Sequence, residues 1–126
     1  MRVTPENITD LKDNEIILFG SNSHGAHYGG LARICHERFG AILGIARGEQ
    51  GKCYAIDTMS GLAVIKQQIP SFLEYCINNP DKKIFITQIG TGIANYSVEQ
   101  IAPMFEEATK LNNIYLHQKF WDVLNK

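Results

Sequence analysis

The chain has 126 residues, a length that suits one domain, and its 44% hydrophobic and 20% charged residues are typical of a folded, soluble protein. Twelve basic and thirteen acidic side chains leave a net charge of -1, which disfavours a nucleic-acid partner, because binding to a phosphate backbone requires a broad basic face. No apolar run approaches the roughly 20 residues of a membrane-spanning helix, and the charged N-terminal stretch lacks a signal-peptide pattern. We therefore expect no membrane partner and a cytoplasmic location.

The three cysteines, Cys35, Cys53 and Cys76, are an odd number and contain no C-x-x-C pair. This pattern indicates neither a disulfide framework nor a zinc site, and buried thiols are the simpler interpretation. No histidine spacing supports a metal either. We expect no metal and no cofactor.

Four apolar runs predict β-strands at residues 15–19, 53–56, 83–87 and 114–117. The first run is continuous, which suits a strand covered on both faces. The glycine-interrupted stretch 41–51 is expected to be a connection without regular structure.

Helical patterns lie between these strands. One runs from about Gly29 to Gly40, and a second covers 62–76, where Pro70 is expected to kink or restart the helix. Ser97 begins a capping-box sequence, although Pro103 implies either a bent first turn or a later start. A short helix over 120–124 ends the chain. The alternation predicts an α/β fold over residues 1–126: a three-layer α/β/α single domain with a mostly parallel sheet.

Two glycine-rich segments, 20–30 and 90–96, each join the end of a predicted strand to the start of a helix. In a parallel sheet both would lie at the carboxyl edge, where unpaired N–H groups at helix N-termini favour an anion. Neither segment is a P-loop or a G-x-G-x-x-G fingerprint, so nucleotide hydrolysis of the P-loop type and an ordinary dinucleotide fold are disfavoured. A phosphate-binding pair of loops and ordinary glycine turns both fit the composition.

Within these segments, His24 and His27 could act as a general acid or base, bind phosphate as cations, or simply be solvated. Tyr96 could stack on a ribose or base, or pack into the core. A Ser, His and Asp triad could be drawn from too many residues to be proposed.

The chain as a whole resembles a compact macro domain, the family that binds ADP-ribose and related metabolites. The opening residues 7–11 and 15–22, the glycine run 29–32 with Cys35 and His36, and above all residues 89–96 followed by 99–108 carry the resemblance. Three shorter segments, 19–22, 39–41 and 54–58, are similar to small phage and bacterial proteins of uncharacterised activity.

The resemblance implies that the two segments hold a diphosphate and a distal ribose between them, and that Asn22 orients the ribose. Asn7 stands where the family has an aspartate that binds adenine, with Asp10 nearby. The residues implied to bind the ligand are Gly20, Ser21, Asn22, Gly29, Gly30, Leu31, Gly90, Thr91, Gly92, Ile93, Ala94, Asn95 and Tyr96.

The expected function is therefore binding of ADP-ribose or a related NAD-derived nucleotide diphosphate, a small-molecule nucleotide ligand. Hydrolysis of an ADP-ribosyl or phosphoester bond would use Asn22 to orient the substrate and His27 or a bound water to assist. The alternative is a non-catalytic sponge for a nucleotide second messenger, which the resemblance to phage proteins suggests. The sequence does not predict the oligomeric state.

Overall fold

The computed structural model describes all residues from Met1 to Lys126. Its sheet has five strands in the order β2-β3-β1-β4-β5, and β1, β3, β4 and β5 run parallel, whereas β2 pairs antiparallel with β3. The elements in chain order are β1 (Glu15–Ser21), α1 (Gly30–Arg38), β2 (Gly48–Gln50), β3 (Cys53–Asp57), α2 (Leu62–Asn78), β4 (Lys83–Ile86), α3 (Val98–Ile101), a 3₁₀ helix (Ala102–Lys110), β5 (Ile114–Leu116) and α4 (Gln118–Leu124).

The central strand β1 is buried on both faces, because its side chains alternate between two apolar clusters. Ile16 and Leu18 belong to a cluster of 19 buried residues that also holds the buried faces of α2, α3, the 3₁₀ helix and α4. Ile17 and Phe19 belong to a cluster of nine that α1 covers through Cys35. The predicted α/β fold with a mostly parallel sheet is confirmed, with helices on both faces.

All four predicted strands and the helices between them are present, with three differences in detail. Residues 41–51 contain β2, which has no apolar side chain and therefore gives no strand pattern in the sequence. Helix α2 continues through Pro70, because its apolar stripe packs on the sheet on both sides of the proline. After Ile101 the helix continues as a 3₁₀ helix with Pro103 in its first turn, where the proline supplies no N–H for an α-helical bond.

The chain before β1 crosses the carboxyl edge of the sheet. Val3 forms a parallel bridge with Leu116, and the Thr4 hydroxyl donates to the Ile86 carbonyl oxygen at 2.8 Å. Residues 5–10 follow this bridge and make no main-chain hydrogen bond among themselves or to a strand. Three of them, Pro5, Glu6 and Ile8, line the cavity described next.

Candidate functional site

The two glycine-rich segments leave neighbouring strands toward opposite faces of the sheet. We call residues 20–30, after β1, loop 1, and residues 90–96, after β4, loop 2. Loop 1 leads to α1 on the side of the smaller cluster, whereas loop 2 leads to α3 on the side of the larger one. Such a divergence opens a crevice at the carboxyl ends of the strands, the usual ligand position in open α/β sheets.

A cavity of about 860 Å³ occupies this crevice, and both loops line it. The wall also includes Thr58 and Met59 after β3, Thr87 and Gln88 after β4, and part of the N-terminal segment. Ten of the thirteen residues predicted from the resemblance line it: Gly20, Ser21, Asn22, Gly29, Gly30, Leu31, Gly90, Gly92, Ile93 and Ala94.

The N-terminus of α1 contributes unpaired N–H groups to this wall. Its first helical hydrogen bond runs from the Arg33 N–H to the Gly29 carbonyl oxygen at 3.3 Å, and no side chain caps the helix. The N–H groups of Gly29, Gly30, Leu31 and Ala32 therefore have no acceptor in the protein. All four residues line the cavity. The partial positive charge of a helix N-terminus adds to these donors.

Loop 2 adds a second group of unpaired donors. Two main-chain bonds fold it: the Asn95 N–H donates to the Gly92 carbonyl oxygen and the Tyr96 N–H to the Gly90 carbonyl oxygen, both at 2.9 Å. The residues of loop 2 that line the cavity and whose N–H groups have no acceptor are Gly90, Gly92, Ile93 and Ala94. The lining of one cavity therefore includes these eight residues with unpaired main-chain N–H groups.

Helix α3 does not contribute its N-terminus, contrary to the sequence expectation. The Gln100 N–H donates to the Ser97 hydroxyl at 3.2 Å, while the Ser97 N–H donates to the Gln100 side-chain oxygen at 2.9 Å. This capping box pairs two main-chain N–H groups at the helix start, α3 is a single turn, and none of its residues lines the cavity. Of the two helices that follow the glycine-rich loops, only α1 borders the cavity with its N-terminus.

Asn22 lines the cavity, but its side chain holds loop 1 together. Its Oδ1 accepts from the N–H groups of His24 at 3.1 Å and Ala26 at 3.0 Å, and its Nδ2 donates to the Ala26 carbonyl oxygen at 3.2 Å. Ser21 acts similarly, because its hydroxyl donates to the Ala46 carbonyl oxygen. These side chains fix the loop backbone, so most of their polar groups are already paired.

The structure places His27 outside the cavity lining, whereas the sequence reasoning expected it beside the ligand. The side chain is 1% exposed, does not line the cavity, and contacts the edge of the Phe19 ring at a centroid distance of 5.2 Å. Both ring nitrogens are buried without a hydrogen-bond partner. The buried His27 side chain packs within loop 1 and outside the cavity lining, and this packing anchors the loop.

Thr91, Asn95 and Tyr96 also fall outside the cavity lining. The Thr91 hydroxyl donates to the Gln88 carbonyl oxygen at 2.8 Å, and Asn95 takes a left-handed conformation with φ 65°. Tyr96 packs against the larger core cluster. These residues shape loop 2, and the core interpretation of Tyr96 is the one the structure supports.

The loop glycines serve two different purposes. At Gly25, with φ +63°, an added Cβ would lie 2.5 Å from the main-chain nitrogen of Ile45, and at Gly90, with φ +77°, it would lie 3.1 Å from Ile101. A Cβ on Gly29 or Gly92 would meet nothing within 4 Å. The first pair is required by packing, whereas the second pair borders open space at the cavity.

A polar group on the opposite wall was missed by the sequence reasoning. Glu6 is the only Asp, Glu, Lys or Arg among the 24 lining residues. Its Oε1 lies 3.2 Å from Nε2 of His117, which is 6% exposed and also contacts the Gln88 amide at 3.1 Å. Nδ1 of His117 accepts the Lys119 N–H at 3.1 Å, which fixes the orientation of the ring toward Glu6 and Gln88. The position of His117 directly after β5 was the available signal.

The thiols take no part in the site. Cys35, Cys53 and Cys76 are free and buried, which confirms the sequence interpretation. Contact with Cys53 and burial raise the pKa of Cys35 far above its ordinary value, and burial raises the pKa of Cys76 to about 12. Both thiols are therefore protonated and unreactive at neutral pH.

The remaining observations concern the chain as a whole. No group of three or more His, Cys, Asp or Glu side chains is placed to hold a metal ion. None of the helices has the length and apolar character needed to cross a bilayer. No protein-family model matches the chain, and a search of curated proteins finds no significant match.

Proposed function

We propose that the protein binds ADP-ribose or a related NAD-derived nucleotide diphosphate in the cavity between loops 1 and 2, in the manner of a macro domain. The observation that carries the proposal is a set of eight unpaired main-chain N–H groups, four where loop 1 joins the first turn of α1 and four in loop 2, in residues that line one cavity. Phosphate oxygens are the acceptors that such donors favour. The macro-domain resemblance points to the same ligand class.

The number of donors is sufficient for specific binding. A hydrogen bond to a charged group contributes about 1.5 to 3 kcal/mol, and association costs several kcal/mol. Four or five such bonds leave about -8 kcal/mol, which corresponds to micromolar affinity. The cavity volume of about 860 Å³ lies within the range of small-molecule sites, so a nucleotide diphosphate fits.

Capture without turnover is the second candidate function, as a sponge for a nucleotide second messenger. Two observations favour it over hydrolysis: the Asn22 side chain is engaged within loop 1, and His27 is buried away from the cavity. A hydrolase would convert the bound nucleotide, whereas a sponge would release it intact.

Isothermal titration calorimetry with ADP-ribose tests the proposal. Gly29→Val and Gly92→Val place a side chain in open space at the cavity, and Ser71→Val places the same side chain on the exposed face of α2 as a control. We expect micromolar binding by the wild-type protein, at least a ten-fold loss in each glycine variant, and no change in the control. Binding that survives both substitutions would contradict the proposed site. Chromatography of the recovered ligand separates a sponge from a hydrolase.

A further inference from the structure

The mouth of the cavity carries exposed apolar side chains that the amide donors do not explain. Tyr28 is 74% exposed, Ile93 is 91% exposed and Met59 is 47% exposed, and all three line the cavity. Scattered apolar residues are ordinary on a protein surface, but a group around one cavity marks a contact surface. A cavity with a polar wall and an apolar mouth fits an amphipathic ligand.

Tyr28 is held in this exposed position by its neighbours in the chain. His27 is buried on one side of it, and Gly29, the N-cap residue of α1, follows on the other. Its own N–H donates to the Ala26 carbonyl oxygen at 2.9 Å, which fixes the turn. The Tyr28 ring contacts no other aromatic ring of the protein. One planar face is therefore available directly beside the unpaired amides of α1.

Ile93 is presented in a similar way from the other side of the crevice. The turn bonds from the Asn95 and Tyr96 N–H groups fold loop 2, and the Tyr96 ring packs against the core. Ile93 lies between these fixed points and extends into solvent. The two loops thus present an aromatic and an aliphatic side chain over the same cavity.

Resting on the proposed function, we infer that Tyr28 and Ile93 form a stacking platform for a planar heteroaromatic ring, so that the ligand of this cavity carries a nucleobase. A ligand that unites an anionic group with a flat apolar ring satisfies both the amide donors and the apolar mouth, and a nucleotide is of this class. Neither side chain offers the set of donors and acceptors that reads a base edge. The platform therefore selects by ring area, and purines bind better than pyrimidines.

The test measures the binding of AMP, CMP, ADP-ribose and ribose 5-phosphate to the wild-type protein and to the variants Tyr28→Ala and Tyr28→Phe. Ile77→Ala, which shortens a 59% exposed side chain on α2 outside this cavity, is the control. Base stacking on an aromatic side chain contributes about 1 to 3 kcal/mol, so we expect Tyr28→Ala to weaken AMP and ADP-ribose about 5- to 100-fold. Tyr28→Phe and the control retain wild-type affinity, and ribose 5-phosphate is unaffected by any of the variants.

A spectroscopic readout separates stacking from an indirect effect on the fold. We expect nuclear Overhauser contacts between the adenine H2 or H8 proton and the Tyr28 ring protons. If Tyr28→Ala binds AMP and ADP-ribose as the wild type does, the platform is wrong and the proposed function stands. If AMP binds through Tyr28 but ADP-ribose does not bind, the proposed function is wrong and the platform stands. If no base-bearing probe binds the wild-type protein, both are wrong.

Discussion

Loops 1 and 2 both bring unpaired main-chain amides to the cavity, but they are built differently. Loop 1 is braced by side chains: Asn22 bonds three main-chain groups, Ser21 reaches the Ala46 carbonyl, and His27 is buried beneath it. Loop 2 is shorter and is folded mainly by main-chain turns. The difference teaches that polar residues in a glycine-rich loop can serve to position its amides, so their presence does not by itself identify catalytic groups.

The largest effect that distinguishes the loops is expected from Gly25→Ala. Its left-handed φ and its contact with the Ile45 main chain leave no room for a Cβ, so we expect a loss of about 2 to 5 kcal/mol in the free energy of unfolding. Gly92→Ala in loop 2 has open space and no left-handed φ, and should change stability by less than about 0.5 kcal/mol. Urea denaturation measures both. Equal midpoints would show that loop 1 is not packed as described.

Removal of the Asn22 side chain is expected to have the next largest effect. Asn22→Ala loses three hydrogen bonds in a half-buried loop, so we expect a destabilisation of about 1 to 2 kcal/mol. Asn22→Asp keeps the acceptor oxygen and should recover most of this loss. Thr91→Ala, which removes one bond in loop 2, is the matched comparison and should cost less. If the Asn22→Ala protein has wild-type stability, the Asn22 side chain does not hold loop 1 together, and ligand binding is the role that is left for it.

A smaller, pH-dependent effect on stability is expected at Glu49. This residue lies in β2, which follows Ala46, the residue whose carbonyl accepts the Ser21 hydroxyl of loop 1. Hydrogen bonds from the Tyr75 hydroxyl at 2.7 Å and from Lys82 at 3.1 Å lower the pKa of Glu49. The group thus stabilises the fold above the ordinary carboxyl pKa of about 4.3, and this contribution is lost as the pH falls through the lowered value.

Because Glu49 is 45% exposed and therefore screened, Glu49→Gln should cost no more than about 1 kcal/mol at pH 7. The difference from the wild type should narrow below about pH 4 and then vanish. Thermal denaturation across pH 3 to 8 measures it, and a difference that is constant across this range would refute the ion-pair explanation.

Little change in stability is expected from His27→Leu. Both ring nitrogens lack partners, so an apolar side chain of similar volume removes no hydrogen bond, and we expect stability within about 1 kcal/mol of the wild type or above it. His27→Ala leaves a cavity and should cost about 2 to 4 kcal/mol. ADP-ribose affinity should be unchanged in His27→Leu. If His27→Leu loses ADP-ribose binding or turnover while its stability is unchanged, His27 takes part in the site.

Much of the fold could be predicted because its main elements repeat an apolar pattern. The strands around Ile17, Ile56 and Ile86 and the stripe of α2 follow directly from periodicity. The three-residue β2 could not be predicted, since its strand character comes from pairing with β3. The 3₁₀ helix after Ile101 likewise depends on how the chain continues past Pro103.

The candidate site was predicted in outline. Local glycine content indicated both loops, and the rule for parallel strands brought them to one edge, where they line one cavity. The pairing of Glu6 with His117 joins residues that lie 111 positions apart, so no local pattern could indicate it. No local pattern could indicate the burial of His27 either, because that burial depends on the Phe19 ring and on the folding of loop 1.

The sequence by itself determined the order of strands and helices and the positions of the glycine-rich turns, because periodicity and backbone freedom are local properties of the chain. Only the tertiary structure decided which loop groups remain available to a ligand. A donor is free only when no other part of the molecule supplies its acceptor, and a side chain is accessible only when nothing covers it. Both conditions depend on residues that are distant in sequence and close in space.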